Sequence, residues 1–214
     1  MSAEDGIDSQ EGALTFARIT ELALSPVRGV FDVAHLKEIH RRIFQDLPLH
    51  APGQFRYSAP AHIKRRQLEA SGHHYEVYYA PGSRVEPGLT EALADLSGAQ
   101  KLRGLNTESF CARMAALYGD LDYLHPFKEG NSRTLRVFTT QLAVQAGYVL
   151  DWNTANASAV ERDRLYIARD KEVAKRFLAH ADSEAQLKAY ARIAGLFGAA
   201  DTLQQFIGGT TRPL

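Results

Sequence analysis

The chain has 214 residues, 45% of them hydrophobic, and its 25 basic residues are balanced by 25 acidic ones. This length supports one sizeable hydrophobic core. The balanced charge lacks the one-signed field that is typical of proteins that bind nucleic acid or a membrane surface. No stretch approaches the roughly 20 apolar residues of a membrane span, and the acidic start MSAEDGIDSQEG lacks the features of a secretory signal. We therefore expect neither nucleic acid nor membrane as a partner.

The first strong helical pattern is FDVAHLKEIHRRIF, behind a candidate cap at Asp32. Prolines at 48, 52 and 60 then predict an irregular connection. In GHHYEVYYAPG the residue types alternate, which predicts a strand or hairpin at about residues 72–82. Residues 1–30 are expected to form an extension before a single domain at 31–214.

The second half is helical around one short turn. Apolar residues recur every three or four positions from Asn106 to Leu124, and Pro126 biases His125 away from helical angles. The single cysteine, Cys111, falls on this apolar stripe, which predicts a buried thiol and suits a reducing cytoplasm. Export through another kind of signal is the alternative. A second helical stripe restarts after GNS, so HPFKEGNSRTLR links two buried helices.

This link has the residues of an anion site. The backbone N–H groups of Gly130, Asn131, Ser132 and Arg133 would be free donors at a helix N-terminus, which favours a bound anion. Arg133 and Arg136 lie three residues apart on one face of the helix. Two arginines on one face suit a polyphosphate better than a single phosphate.

Two further residues complete a candidate phosphate-transfer site. Glu129 is an oxygen ligand of the kind that Mg²⁺ takes together with substrate phosphates. His125 would lie near the positive end of the second helix, which disfavours its protonated form and leaves a neutral base. The alternative is that these residues only end one helix and cap the next, and the residue pattern alone leaves both readings open. No other phosphate-binding motif occurs in the chain.

HPFKEGNSRTLR resembles the Fic-family signature H-P-F-x-[DE]-G-N-[GK]-R-x-x-R. FDVAHLKEIHRRIFQD, APGQFR and QAGYVLDW are similar to the stretches around that signature, so the resemblance covers roughly residues 31 to 155. It implies a mainly α fold, a Fic-type helical bundle with a small β-hairpin flap beside the active-site loop. Ser132 stands where the signature usually has Gly or Lys, and Ala51 stands where an aromatic residue is usual.

The resemblance implies a protein adenylyltransferase, which transfers AMP from ATP to a Tyr, Thr or Ser hydroxyl of a target protein. His125 would be the general base, and Glu129 would hold Mg²⁺. The implied nucleotide-binding residues are Gly130, Asn131, Ser132, Arg133 and Arg136. The alternatives are transfer of another phosphate-containing group and a nucleotide-binding module without catalysis.

The hairpin would hold the target as an added strand in this family. The residues expected to dock the target are His74, Tyr75, Glu76, Val77 and Tyr78. The alternative is a hairpin that only covers the core.

Restraint in this family comes from a helix bearing [ST]-x-x-x-E-[GN], whose Glu pairs with the second arginine of the signature. The nearest segment is IDSQEG, in which Glu11 and Gly12 fit but Ile7 replaces the hydroxyl residue. We therefore expect Glu11→Gly to change activity little. The chain would be a toxin restrained by a separate small antitoxin, or an effector delivered into another cell.

Overall fold

The computed structural model describes residues 3–57, 62–94, 96 and 98–214, with side chains from residue 10 onward. Within these ranges the chain is mainly α-helical, as predicted, with two small antiparallel sheets. The helices are α1 (Ala3–Leu24), α2 (Val33–Phe44), α3 (Gly82–Ala94), α4 (Thr107–Leu124), α5 (Asn131–Ala146), α6 (Ala159–Leu178), α7 (Glu184–Phe197) and α8 (Leu203–Thr210). The strands are β1 (His62–Gln67), β2 (His74–Tyr79), β3 (Tyr148–Leu150) and β4 (Thr211–Pro213).

Helices α4 and α5 form the predicted pair around a short turn. Asn106 caps α4, because its side chain accepts a hydrogen bond from the backbone N–H of Ser109. The helix ends at Leu124, and the next residue, His125, has a left-handed backbone (φ 44°, ψ 60°). Gly130 precedes α5 with φ 79°, a conformation that favours glycine. Two left-handed residues therefore reverse the chain between the two helices.

The hydrophobic core has two parts. The main part joins α2, α4, α5 and α8, and Phe44, Phe110, Phe127 and Phe138 are fully buried in it. A second cluster lies between β2, α6 and α7 and contains Val77, Val173 and Ile193. The second cluster attaches the hairpin to the helices, which an isolated two-stranded sheet requires for stability.

The hairpin is longer than predicted and begins earlier. Strand β1 pairs with β2 from His62 opposite Tyr79 to Gln67 opposite His74. The sequence interpretation recognised only β2, because the basic run HIKRRQ has no apolar alternation, and α3 already begins at Gly82. Strand β2 is the inner strand, and β1 alternates between half-buried and exposed side chains.

Residues 3–30 are not a tail. Helix α1 packs against α2, and its Leu22 is fully buried in the main core. Arg18 also pairs with Asp46, with 2.7 Å between Nε and Oδ2. The segment that we expected to be an extension outside the domain therefore contributes to the same core.

Candidate active site

The turn between α4 and α5 is closed by its own side chains. The Asn131 side chain accepts from the backbone N–H of Phe127 at 2.9 Å and donates to the Phe127 carbonyl at 2.7 Å. A Cβ atom on Gly130 would lie 2.0 Å from the Phe44 ring, so no larger residue fits there without a rearrangement. The resemblance implies that Asn131 binds nucleotide. In the structure both ends of its side-chain amide bind the turn, and the amide nitrogen keeps a second N–H that these two bonds do not use.

Two buried side chains from outside the turn also hold it. Arg56 donates from Nε to the carbonyl of His125 at 2.6 Å. His40 accepts from the backbone N–H of Gly53 through Nδ1 at 2.9 Å, so its Nε2 carries the proton and donates to the Glu129 carbonyl at 3.1 Å. Burial lowers the pKa of His40 to about 4, which keeps the ring neutral. The backbone of the turn is therefore fixed before any ligand binds.

The His125 side chain is buried beside the hairpin. Its ring centroid lies 4.0 Å from that of Tyr79 and 5.2 Å from that of His62. Burial lowers the pKa of His125 to about 3, and Asp122, whose Oδ1 is 3.8 Å from His125 Nδ1, opposes the shift only in part. The imidazole is therefore neutral at physiological pH, in the form that can accept a proton.

A cleft of about 340 Å³ opens in front of His125 and the N-terminus of α5. It contains the predicted residues His125, Glu129, Gly130, Asn131, Ser132, Arg133 and Arg136. It also contains four residues that the sequence analysis did not assign, Lys64, Arg66, Tyr166 and Arg169. Five cationic side chains and one carboxylate line the cleft. Arg66 and Arg169 pair with the buried Asp170 and Asp122 behind it, so Lys64, Arg133 and Arg136 provide most of its attraction for a polyanion.

The unassigned residues come from β1 and α6, far from the motif in sequence. Lys64 and Arg66 are two apart on β1 and so share the face that covers the cleft. If HIKRRQ had been recognised as a strand, its two-residue period would have placed Lys64 and Arg66 on one face. Arg169 carried no such signal, because only the packing of α6 against α4 brings it to the site.

Helix α1 reaches the cleft through Glu11. One carboxylate oxygen lies 2.7 Å from an Arg133 side-chain nitrogen, and the other lies 3.0 Å from His50 Nε2. Burial alone would raise the pKa of Glu11, but the hydrogen bond and charge of Arg133, together with His50, lower it overall. The sequence was not expected to aim a Glu at Arg136, the second arginine of the signature. The contact is with Arg133, whereas the family resemblance implied a contact with Arg136.

The predicted docking residues on the hairpin lie mostly away from solvent. Tyr75, Val77 and Tyr78 are buried against the second core cluster, and only His74 and Glu76 are partly or largely accessible. The Tyr75 hydroxyl donates to Asp170 at 2.8 Å. The strand that faces both the cleft and solvent is β1.

Glu129 is the acidic side chain at the mouth of the cleft. It is about half exposed, and its nearest charged partner is Lys64 at 3.5 Å. Across the described residues no three metal-binding side chains cluster. One accessible carboxylate suits Mg²⁺, which proteins hold through one or two carboxylates together with substrate phosphates.

No described helix is long and apolar enough to cross a membrane.

Known proteins are similar to this chain in sequence and in fold. The Fic/DOC family matches residues 30–143. The chain is 32% identical over 156 residues to "Protein adenylyltransferase VbhT" of Bartonella schoenbuchensis, which covers 73% of this chain and 30% of that protein. It is 30% identical over 159 residues to "Probable protein adenylyltransferase Fic" of Escherichia coli, covering 70% of this chain and 72% of that protein. The chain spans only 25% of a second Bartonella relative, from Bartonella henselae.

Solved structures agree on the fold. The Bartonella tribocorum BepC protein with bound AMPPNP superposes with a TM-score of 0.72 at 19% identity, covering 100% of this chain and 90% of that one. The Fic domain of a Bartonella quintana effector with bound ADP gives 0.70 at 22% identity, covering 100% and 88%. The fold and the match over more than half of the sequence lead to one conclusion: this chain belongs to the Fic/DOC family.

Proposed function

We propose that this chain is a protein adenylyltransferase that transfers AMP from ATP to a hydroxyl side chain of a target protein. One observation carries the proposal: a neutral, buried His125 lies at the same cleft as five cationic side chains, an accessible carboxylate and the N-terminus of α5. A base beside an anion cradle is what attack on a phosphate requires. The relatives whose names are protein adenylyltransferases support this reaction.

In this proposal the target hydroxyl oxygen attacks the α-phosphorus of ATP, and His125 takes its proton. The bond from the α-phosphorus to the bridging oxygen breaks, and pyrophosphate leaves with that oxygen. The backbone of α5 and the side chains of Arg133 and Arg136 hold the phosphates. Magnesium on Glu129 would supply charge neutralisation for the nucleotide. Positioning and charge therefore provide most of the rate.

The target would add a strand to the edge of β1 that pairs with no other described strand. This strand has exposed side chains at Ile63, Arg65 and Gln67 and presents Lys64 toward the cleft. Main-chain pairing would carry a Tyr, Thr or Ser hydroxyl past His125 without reading much sequence. The sequence analysis assigned docking to residues 74–78, and the burial of Tyr75 and Val77 is the reason to move it to β1.

Regulation is the second part of the proposal. The pairing of Glu11 with Arg133 favours a restraint built into α1, because a nucleotide phosphate must displace the carboxylate to reach that arginine. A toxin or delivered effector with a separate antitoxin, as the sequence suggested, is the alternative. An antitoxin would have to act beside α1, which already lies over this part of the cleft.

Labelled ATP tests the reaction directly. With the purified chain and a cell lysate, label at the α-phosphate should become attached to protein, and label at the γ-phosphate should not. Attachment of the γ-label would instead indicate a phosphorylating enzyme. Binding of ATP without attachment of either label would indicate a nucleotide-binding module.

A further inference from the structure

A buried carboxylate lies behind His125 and has no part in the mechanism above. Asp122 precedes His125 by three residues at the end of α4 and is fully buried. Both of its oxygens accept hydrogen bonds from Arg169 of α6, at 2.8 and 2.9 Å. Arg169 is only 2% exposed. The base is therefore backed by an ion pair that is closed to solvent.

Fold stability is a weak explanation for this pair. Removing two charges from water has a large desolvation cost, and proteins in which apolar residues replace a buried pair are often as stable. The location of the pair is informative, because Asp122 faces His125 and Arg169 faces the N-terminus of α5. Arg169 donates to the Ser132 hydroxyl at 3.0 Å, in the first turn of α5. The pair thus contacts both parts of the site.

The position of the carboxylate selects a tautomer of His125. An ionised carboxylate only accepts hydrogen bonds, so it favours a proton on the nitrogen that faces it, Nδ1. Neither ring nitrogen has a hydrogen-bond partner among the described residues, which leaves Nε2 with a free lone pair. The 3.8 Å separation is longer than a hydrogen bond. Catalytic hydrogen bonds are often long in structures without substrate and shorten in the substrate complex.

The other groups around the ring cannot take this role. His62 and Lys64 of β1 face His125, and both lower its pKa. Tyr79 of β2 packs on the ring. Arg56 binds the His125 backbone carbonyl and not the side chain. Asp122 is the group whose charge favours the imidazolium that forms when His125 accepts a proton.

We propose that Asp122 is a positioning residue for His125: it holds the ring as the Nδ1–H tautomer, so that Nε2 receives the proton of the target hydroxyl. Arg169 keeps Asp122 ionised and fixes the orientation of its carboxylate. It also links this carboxylate to the N-terminus of α5 through the Ser132 hydroxyl. The inference rests on the proposed function, since it assigns the proton acceptor of that reaction.

The test is Asp122→Asn, with kcat, KM for ATP and the ¹⁵N spectrum of the His125 ring as readouts. We expect kcat to fall by about 10²–10⁴-fold and KM to change less than about threefold. The ring spectrum, assigned by its loss in His125→Ala, should show Nδ1–H in the parent protein and lose that preference in the variant. The matched control is Asp120→Asn, which removes another α4–α6 pair, to Arg176 at 2.7 Å, away from the cleft.

A folded Asp122→Asn protein that keeps the parent kcat or the parent tautomer overturns the proposal. If this variant does not fold, Asp122→Asn/Arg169→Gln removes both charges at similar volume. We expect the double variant to fold with the same loss of kcat, and near-parent turnover would overturn the proposal equally. If the parent protein transfers no AMP, the proposed function fails, while the ring spectrum still tests the role of Asp122.

Discussion

The turn at residues 125–131 and the contact that α1 makes with the same cleft are held in different ways. The turn is fixed by hydrogen bonds to the buried side chains of Arg56, His40 and Asn131. Helix α1 meets the cleft through a partly exposed ion pair between Glu11 and Arg133. Buried hydrogen bonds are costly to break, whereas ion pairs near the surface exchange readily with other anions. The difference indicates a rigid catalytic turn beside a side-chain contact, Glu11 with Arg133, that a substrate anion can displace.

The largest effect should come from the base at the turn. His125→Ala should lower the rate of AMP transfer by about 10²–10⁴-fold, the usual contribution of a general base. ATP affinity should change little, because the cationic side chains remain. The rate from α-labelled ATP and a binding titration measure the two quantities. His180→Ala, an exposed histidine outside this cleft, is the control. Transfer at the parent rate by His125→Ala would contradict the assignment.

Removal of the Glu11–Arg133 contact should change the rate of AMP transfer in the opposite direction. Glu11→Gly should raise AMP transfer by about fivefold to thirtyfold, because it frees Arg133 from a charge-assisted contact of about 1–2 kcal/mol. Glu21→Gly is the matched control, since Glu21 lies on the same helix and pairs with Arg18 instead. Equal rates for Glu11→Gly and the parent protein would contradict a restraint built into α1 and would favour restraint by a separate antitoxin.

The buried rings around the turn should make stability depend on pH. His40 has its pKa lowered by burial to about 4, below the ordinary value of about 6.5 in the unfolded chain. Between these two pH values the unfolded chain binds more protons, so the free energy of unfolding falls as pH falls. His40 contributes up to about 1.4 kcal/mol per pH unit in this window. Denaturant titrations at several pH values measure the slope.

The variant that isolates this contribution is His40→Gln, which keeps a side-chain donor but does not titrate. Whatever its stability at pH 7, its free energy of unfolding should fall less steeply with pH than that of the parent protein. Parallel curves for the two proteins would show that His40 does not carry the dependence.

The smallest effect should come from the hairpin side of the cleft. Lys64→Met should weaken ATP binding by only a few-fold, because Lys64 is partly exposed and its nearest partner, Glu129, is half exposed. Arg65→Met is the neighbouring control, since Arg65 points out of the cleft and is largely exposed. A loss of affinity that is equal in the two variants would mean that general positive charge, and not the position of Lys64, attracts the nucleotide.

The local structure of the turn followed from the sequence. Periodic apolar residues predicted α4 and α5, and Pro126 and Gly130 marked the reversal between them, because these signals act within a few residues. The same stretch contains the residues that resemble the Fic-family signature. Its backbone donors and its arginines lie at one cleft because they are neighbours in one helix turn.

Tertiary packing decided everything that reaches the turn from elsewhere. Arg169 is 44 residues from His125 in sequence, and no periodicity indicates that α6 places it on Asp122. Glu11 belongs to a helix with only a weak apolar stripe, so its return to Arg133 depends on packing against α2. Strand β1 is too polar to resemble a strand, and its pairing with β2 defines it. Sequence patterns report local conformation, whereas contacts between distant segments depend on which surfaces the whole chain can bury together.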